Sequence, residues 1–325
     1  MLERPEVVRT GLAAHPAVRA WLATEPHARL PERIEVLKRE VKSTVYRLVG
    51  ARPAGGTVIA KRCPPATARL ERTVYRDILP RLAITRLQYF GCLDDESGAC
   101  WLFLQDAGTE RFSPLIPEHR ALAGQWLGLL HTGAAHLAAT ASLPDRGPGY
   151  YRERLRAARG ALTLGLGNPL LSAREVGDIR AVIAECDLLE FRWSRLEELC
   201  AGMPATLVHG DFRDKNVHLR AAPSGTAVLP LDWEHAGRAA PAADLTSVDL
   251  VAYQSAVGEA WPTSNWRTIQ GQAHAGRIFR RLAAIDWISG CFGSDSRVLL
   301  LKPIAHLSIH RARLAEELHL AGLAR

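Results

Sequence analysis

Two apolar runs that each lead into an acid constrain this chain more than anything else in it. Thr206-Leu207-Val208 leads into His209-Gly210-Asp211, and Leu229-Pro230-Leu231 leads into Asp232. Between them, Asn216 opens a second apolar stretch, Val217-His218-Leu219, and Ala221-Ala222-Pro223-Ser224-Gly225 has the composition of a turn. The pattern predicts strand, turn, strand: an antiparallel hairpin that brings Asn216 close to Asp232. Asp211, Asn216 and Asp232 would then converge as three oxygen-bearing side chains. Such a set suits Mg²⁺, a hard cation that takes one or two carboxylates and completes its shell with water and phosphate oxygens.

His-Gly-Asp, four residues, Asn, then a strand ending in Asp resembles the catalytic loop of the aminoglycoside phosphotransferases, choline kinases and their relatives. Protein kinases carry His-Arg-Asp, four residues, Asn, and later Asp-Phe-Gly. Here Gly210 stands in place of that Arg and Trp233-Glu234 in place of Phe-Gly, and no Ala-Pro-Glu triplet follows. The resemblance therefore points to the small-molecule branch. It implies an α+β, protein-kinase-like, two-lobed fold. Its N-lobe (1–104) would hold a five-stranded antiparallel sheet plus one helix, behind an N-terminal helical cap. The larger, mostly helical C-lobe (105–325) would carry the hinge, catalytic loop and substrate site.

The resemblance extends into the first lobe, except at its phosphate loop. Strands are expected at 33–38, 43–49, 57–62, 86–91 and 99–104, and a helix from about Ala66 to Leu82 with Leu70, Val74, Tyr75, Ile78 and Leu82 on one face. Glu71 falls on that same face, where a carboxylate is costly unless paired. Lys61, at the end of Val58-Ile59-Ala60-Lys61, is the available partner; the bland alternative is a solvated Glu71 and a surface lysine. By resemblance, the pair aims Lys61 at the nucleotide phosphates. The loop over those phosphates, Arg39-Glu40-Val41-Lys42-Ser43-Thr44, holds no glycine, leaving backbone amides and the Ser43 and Thr44 hydroxyls to meet them. Val45 and Ile59 would press on the adenine ring, and main-chain groups near Gln105 and Ala107 would meet its edge.

Helices are expected from about Glu118 to Ala139, Tyr150 to Leu164, Ser172 to Glu190, Trp193 to Cys200 and Trp266 to Leu320. Ser172-Ala173-Arg174-Glu175 has the form of a capping box. His131, alone among leucines, reads as a core histidine. Asp244 matches the family aspartate that braces the catalytic loop through backbone hydrogen bonds, although Ala240 stands where a glycine is usual.

Composition closes off other classes. A hydrophobic share of 47% excludes a disordered chain, and no apolar run reaches a membrane span. The charged start, Met1-Leu2-Glu3-Arg4-Pro5-Glu6, is unlike a secretory leader, and the 6 cysteines form no Cys-x-x-Cys pair. Both predict a cytoplasmic protein with reduced thiols. The net charge of +7 comes from arginines spread along helices, without a dense basic run that would argue for nucleic acid.

The function implied is an ATP-dependent, Mg²⁺-requiring transfer of the γ-phosphate to a hydroxyl of a small molecule: an antibiotic, a sugar or an amino alcohol. Asp211 would orient the hydroxyl or accept its proton, Asn216 and Asp232 would hold Mg²⁺, and Lys61 would neutralise the phosphates. Arg213 has two readings, a contact to the transferred phosphate or a solvated surface arginine. The alternative function is a pseudokinase that binds nucleotide or a partner without catalysis; an intact Asp211, Asn216 and Asp232 argues against it. The oligomeric state is left open.

Overall fold

Period-two alternation organises the first unit. The computed structural model describes residues 6–223 and 225–323 and divides into two compact units. The first comprises the chain up to Ile116, Leu137–Ala139 and Arg213–Ala236. Its sheet contains β1 (Glu6–Val8), β2 (Arg33–Arg39), β3 (Thr44–Val49), β4 (Val58–Cys63), β5 (Tyr89–Asp94) and β6 (Cys100–Gln105). All neighbours are antiparallel, in the order β1-β2-β3-β4-β6-β5. On one face, Val58 and Ala60 of β4 and Trp101 and Phe103 of β6 pack with Ala17, Val18 and Trp21 of helix α1 (Pro16–Thr24). The Trp21 indole N–H donates to Ala51 O at 3.0 Å, so the buried ring leaves no orphan donor. The alternate residues turn to the other face, where Cys63 and Cys100 meet Ala68 of helix α2 (Pro65–Arg72).

The predicted sheet is present, with a sixth short strand added at its edge by Glu6–Val8. Two boundaries differ. The helix expected over 66–82 keeps α-geometry only to Arg72; Thr73–Ile78 widens into a π-turn and Leu79–Arg81 tightens into a 3₁₀ turn. Proline at 80 removes a donor and helps end the helix. The strand expected at 86–91 lies at 89–94, because its register is set by pairing of Tyr89–Asp94 with β6 up to the Asp95–Gly98 turn.

The predicted hairpin also belongs to this unit. Val217–Ala222 pairs with Gly225–Pro230, from Val217 opposite Pro230 to Ala222 opposite Gly225; Ser224 of its turn, like residues 1–5, lies outside the described residues. The segment around Arg111 pairs with its outer strand, through Phe112 N to Val217 O at 3.0 Å and Leu219 N to Glu110 O at 3.0 Å. The Thr85 hydroxyl donates to Val228 O at 2.8 Å.

The second unit comprises Pro117–His136, Thr140–Phe212 and the chain from Gly237 onward. Its helices are α3 (Pro117–Ala134), α4 (Pro148–Gly165), α5 (Ala173–Phe191), α6 (Trp193–Ala201), α7 (Leu250–Val257), α8 (Trp266–Ser289) and α9 (Arg297–Leu320). Its core gathers Leu155, Leu162, Trp193, Phe279, Leu282, Phe292 and Leu307, with Tyr151 stacked on Phe279 at 4.2 Å between ring centroids. The capping box forms as predicted: the Ser172 N–H donates to Glu175 and the Glu175 N–H to the Ser172 hydroxyl. The long C-terminal helical stretch is broken at Gly290–Gly293, and α7 has no counterpart among the predicted helices.

Candidate active site

In β4, alternation puts Ile59, Lys61 and Cys63 on the face turned to α2, and register sets Val45 of β3 opposite Lys61. Val45 and Ile59, expected to press on the base, therefore share Lys61's face, whereas Thr44, opposite Arg62, and Gln105, opposite Val58, fall on the other alternation. Glu71 lies on the buried side of α2 with no solvent exposure. Lys61 Nζ donates to Glu71 Oε1 at 2.6 Å and to Asp232 Oδ1 at 2.5 Å. Glu71 is thus paired rather than solvated.

Two carboxylates share one ammonium in this cluster, and their charges tilt accordingly. Burial opposes the Lys61 charge, but Glu71 and Asp232 outweigh it and hold the ammonium well above its usual range. Burial pushes the Glu71 carboxyl up, to about 7; Lys61 pulls it down, and Asp232 and Glu234 push it up again. Glu71 Oε2 is buried without a hydrogen-bond partner among the described residues. Tyr75, one helical turn on, sets its ring edge-on to Trp233 at 6.5 Å.

Asp232 leaves the hairpin in a left-handed conformation, φ 66° and ψ 61°, which non-glycine residues seldom adopt and in which Asp is over-represented. Just before it, Leu231 N donates to Asn216 O at 2.9 Å, so the hairpin brings these two positions together as predicted. Asn216 is buried, its N–H bonded to Arg213 O at 2.8 Å. Arg213 is half-buried, while Asp214 and Lys215 are exposed. The amide oxygen of Asn216 and the carboxylate of Asp232 are hard donors of the kind Mg²⁺ takes from protein. Among the described residues no group of three or more His, Cys, Asp or Glu side chains could hold a metal. A Mg²⁺ site that borrows phosphate oxygens needs no such group.

The remaining nucleotide-side expectations fall at the sheet's ends. Glu40 N donates to Ser43 O at 3.0 Å, closing the glycine-free loop before Thr44. At the end of β6, Gln105 N is engaged by Gln88 O at 2.8 Å, and Ala107 is buried. Asp106 was not singled out by sequence. Its carboxylate binds Arg47 Nε at 2.8 Å and Gly108 N at 3.0 Å, and Arg47 also binds Glu35 at 3.2 Å. The alternation of charged residues on β2 and β3 was the available signal.

Asp211 belongs to the second unit, where strand Thr206–Val208 pairs with Gly237–Ala239 and ends three residues before it. Gly210 turns the chain there with φ 79°, a value that suits glycine and explains why the residue before the acid has no side chain. Asp244, fully buried, accepts from His209 N at 2.7 Å and Gly210 N at 2.9 Å. Its Oδ2 also lies 3.3 Å from His131 Nε2, and His131 Nδ1 lies 3.0 Å from the Tyr253 hydroxyl. His131 is a core histidine, as its leucine neighbours suggested, and it props the aspartate under the loop. Asp211 N donates to His209 Nδ1 at 3.3 Å.

The first unit holds a lysine between a helix carboxylate and an acid at a hairpin's end, the second holds a braced His-Gly-Asp loop, and both are consistent with a phosphotransferase of kinase-like fold. The chain belongs to the phosphotransferase enzyme family (APH), whose model matches residues 33–285. Solved structures agree on the fold. An aminoglycoside phosphotransferase from Alicyclobacillus acidocaldarius aligns with TM-score 0.54 and 14% identity, over 94% of this chain and 96% of its own. An aminoglycoside phosphotransferase in complex with GDP and kanamycin aligns with TM-score 0.61 and 11% identity, over 90% and 97%. Choline kinase from Cryptosporidium parvum aligns with TM-score 0.58 and 12% identity, over 89% and 91%. Comparison with curated proteins gives no match. Among the described residues no helix is long and apolar enough to cross a membrane.

Proposed function

We propose that this protein transfers the γ-phosphate of ATP to a hydroxyl of a small molecule, with Mg²⁺ as cofactor. The observation that carries the reading is the Lys61 ammonium between Glu71 and Asp232. A buried lysine with two carboxylates at hydrogen-bond distance is fixed in position and fully charged, as a phosphate-neutralising group must be. In this reading residues 1–104 bind the nucleotide and residues 105–325 supply the hinge, catalytic loop and acceptor site. Val45 and Ile59 contact the base, with main-chain groups at Gln105 and Ala107; Ser43 and Thr44 meet phosphate oxygens. Asn216 and Asp232 would hold Mg²⁺, which supplies charge neutralisation on the phosphates. Asp211 orients the acceptor hydroxyl and takes its proton as the P–O bond forms. Arg213, half-buried, serves the transferred phosphate rather than solvent.

Solved neighbours include complexes with GDP and kanamycin and with ADP and spectinomycin, and an aminopropanol kinase, which supports nucleotide use and a hydroxylated acceptor. The test is phosphate transfer from ATP, with GTP alongside, to a panel of hydroxylated compounds with and without Mg²⁺. Asp211→Asn should lower kcat by roughly 10²–10⁴-fold, the range for a positioned base. An Asp211→Asn enzyme as fast as the parent would sink the assignment.

A further inference from the structure

We propose that two copies of this chain associate through the outer face of α9, antiparallel about a two-fold axis at Ile309. The surface takes no part in the phosphotransferase reading.

Helix α9 carries two apolar faces, and packing within the chain uses only one. Leu300, Leu307, Leu314 and Leu318 are buried in the core of the second unit. On the opposite side Val298, Lys302, Ala305, Ile309, Ala312, Glu316 and Leu320 recur at steps of three and four residues, and all of them are exposed. In an α-helix that spacing draws a single stripe, the pattern of a helix that meets another helix. Val298 is 75% exposed, Ile309 48% and Leu320 56%, with Leu301 at 53% on the border of the stripe. The chain's own core accounts for the first face and leaves the second for a partner.

The order of residues along the stripe identifies that partner. Counted outward from Ile309, Lys302 and Glu316 each stand seven residues away, and Val298 and Leu320 each eleven. Two α9 helices laid antiparallel, with their Ile309 side chains opposed, set Lys302 against the second copy's Glu316 and Val298 against the second copy's Leu320. The two-fold axis makes each pairing twice, as a closed dimer built on one self-complementary patch requires. Parallel pairing would set Lys302 against Lys302 and Glu316 against Glu316, which repels. The ion pairs of α9 use Arg297, Arg311 and Glu317, and none among the described residues uses Lys302 or Glu316. Both charges are therefore available to a second copy. Beside the axis, Ala305 and Ala312 are small enough for the two helices to approach closely. Arg313, four residues beyond Ile309, comes opposite Ala305 of the second copy, where the short side chain leaves room for the arginine stem.

The stripe is long enough for a helix pair. From Val298 to Leu320 it spans about three heptads, or about 33 Å at 1.5 Å per residue. With a helix width of about 10 Å and the flanking side chains, pairing covers roughly 500 Å² per copy and about 1,000 Å² in all, at the low end of specific interfaces. The dimer is accordingly of the weak, exchanging kind, with a dissociation constant in the micromolar range.

The experiment is sedimentation velocity of the full chain from low to high micromolar concentration, with unfolding temperatures to confirm that each variant folds. The parent should move from the mass of one chain towards that of two as concentration rises. Ile309→Glu puts two carboxylates on the axis and should weaken association roughly tenfold or more. Lys302→Glu should weaken it too, by facing Glu316. Adding Glu316→Lys to Lys302→Glu exchanges the pair and should restore the parent value. A chain that stays monomeric at high micromolar concentration overturns the proposal and leaves the face to a different partner. A dimer indifferent to Ile309→Glu overturns it as well, because another face would then hold the copies together. A dimer weakened by Ile309→Glu and by Lys302→Glu but not restored by the exchange refutes the antiparallel arrangement, since only that arrangement sets position 302 against 316.

Discussion

Replacing Asp244 by Asn tests how the catalytic loop is held. The substitution keeps the volume and one oxygen. The other oxygen becomes an NH₂ that can only donate. Oδ2 serves both His209 N and His131 Nε2, while Oδ1 serves Gly210 N at 2.9 Å. The better orientation of the amide leaves its oxygen at the Oδ2 position and turns the NH₂ against the Gly210 N–H. An unsatisfied buried donor costs about 1–3 kcal/mol, and the bond to His209 N loses its charge-assisted share, about 1 kcal/mol. The sum is a loss of about 2–4 kcal/mol, since Asp244 is fully buried and no water can substitute. Chemical denaturation read by tryptophan fluorescence gives this value directly; at roughly 2–4 °C per kcal/mol the midpoint should fall by about 5–15 °C. The same variant should lower kcat, because His209 and Gly210 immediately precede Asp211, while leaving nucleotide affinity close to the parent value. A stability loss below about 1 kcal/mol would refute the reasoning, because it would mean that these backbone groups do not depend on the carboxylate.

Two further outcomes follow from the packing of α8. In Gly276→Ala the new Cβ would lie 1.7 Å from Ala242 O, so helix and backbone must part; a loss of about 3 kcal/mol or more is expected in denaturation, whereas Gly290→Ala, with nothing within 4 Å, should cost nothing measurable. His310, on α9, has its pKa lowered to about 4 by burial and then by Arg281, His306, Arg313 and Arg280. Between about pH 6.5 and 4 the unfolded chain therefore binds the proton that the folded one refuses, and stability falls on acidification through that window. His310→Gln should flatten this part of a Tm-against-pH curve, and an unchanged slope would disprove the assignment.

How much of this was legible in sequence depended on whether the cause was local. The Lys61–Glu71 pair was legible because a carboxylate on an apolar helix face needs a cation, and one strand ended in one. The hairpin was legible because turn composition and alternation agreed. Spacing predicts α2 past its observed end because Val74, Tyr75 and Ile78 keep an apolar face through the π-turn; spacing reports the face and not the hydrogen-bond ladder. The register of β5 was set by β6, which no pattern within 86–94 encodes. Asp244 entered only by family resemblance, since its partners lie more than thirty residues away.

Asp232 gives the clearest case of a residue that stability would not choose. Its left-handed backbone costs an L-residue roughly 1–2 kcal/mol, somewhat less for Asp. Glycine would remove that strain, offset by about 0.4–1 kcal/mol of extra freedom in the unfolded chain. The side-chain balance is also close to even. Without Asp232, Lys61 keeps Glu71 at 2.6 Å, and one of two carboxylates around a single ammonium disappears. That removes one of the pushes that raise the Glu71 carboxyl to about 7. Asp232→Asn and Asp232→Gly should therefore stay within about 1 kcal/mol of the parent in denaturation at neutral pH, although a buried-side hydrogen bond is lost. Phosphate transfer and Mg²⁺-dependent nucleotide binding should collapse in both. Retention of the acid at a strained position would then be owed to its oxygens facing the phosphates. A loss above about 3 kcal/mol, the scale of a broken buried ion pair, would instead make Asp232 a structural counter-ion for Lys61.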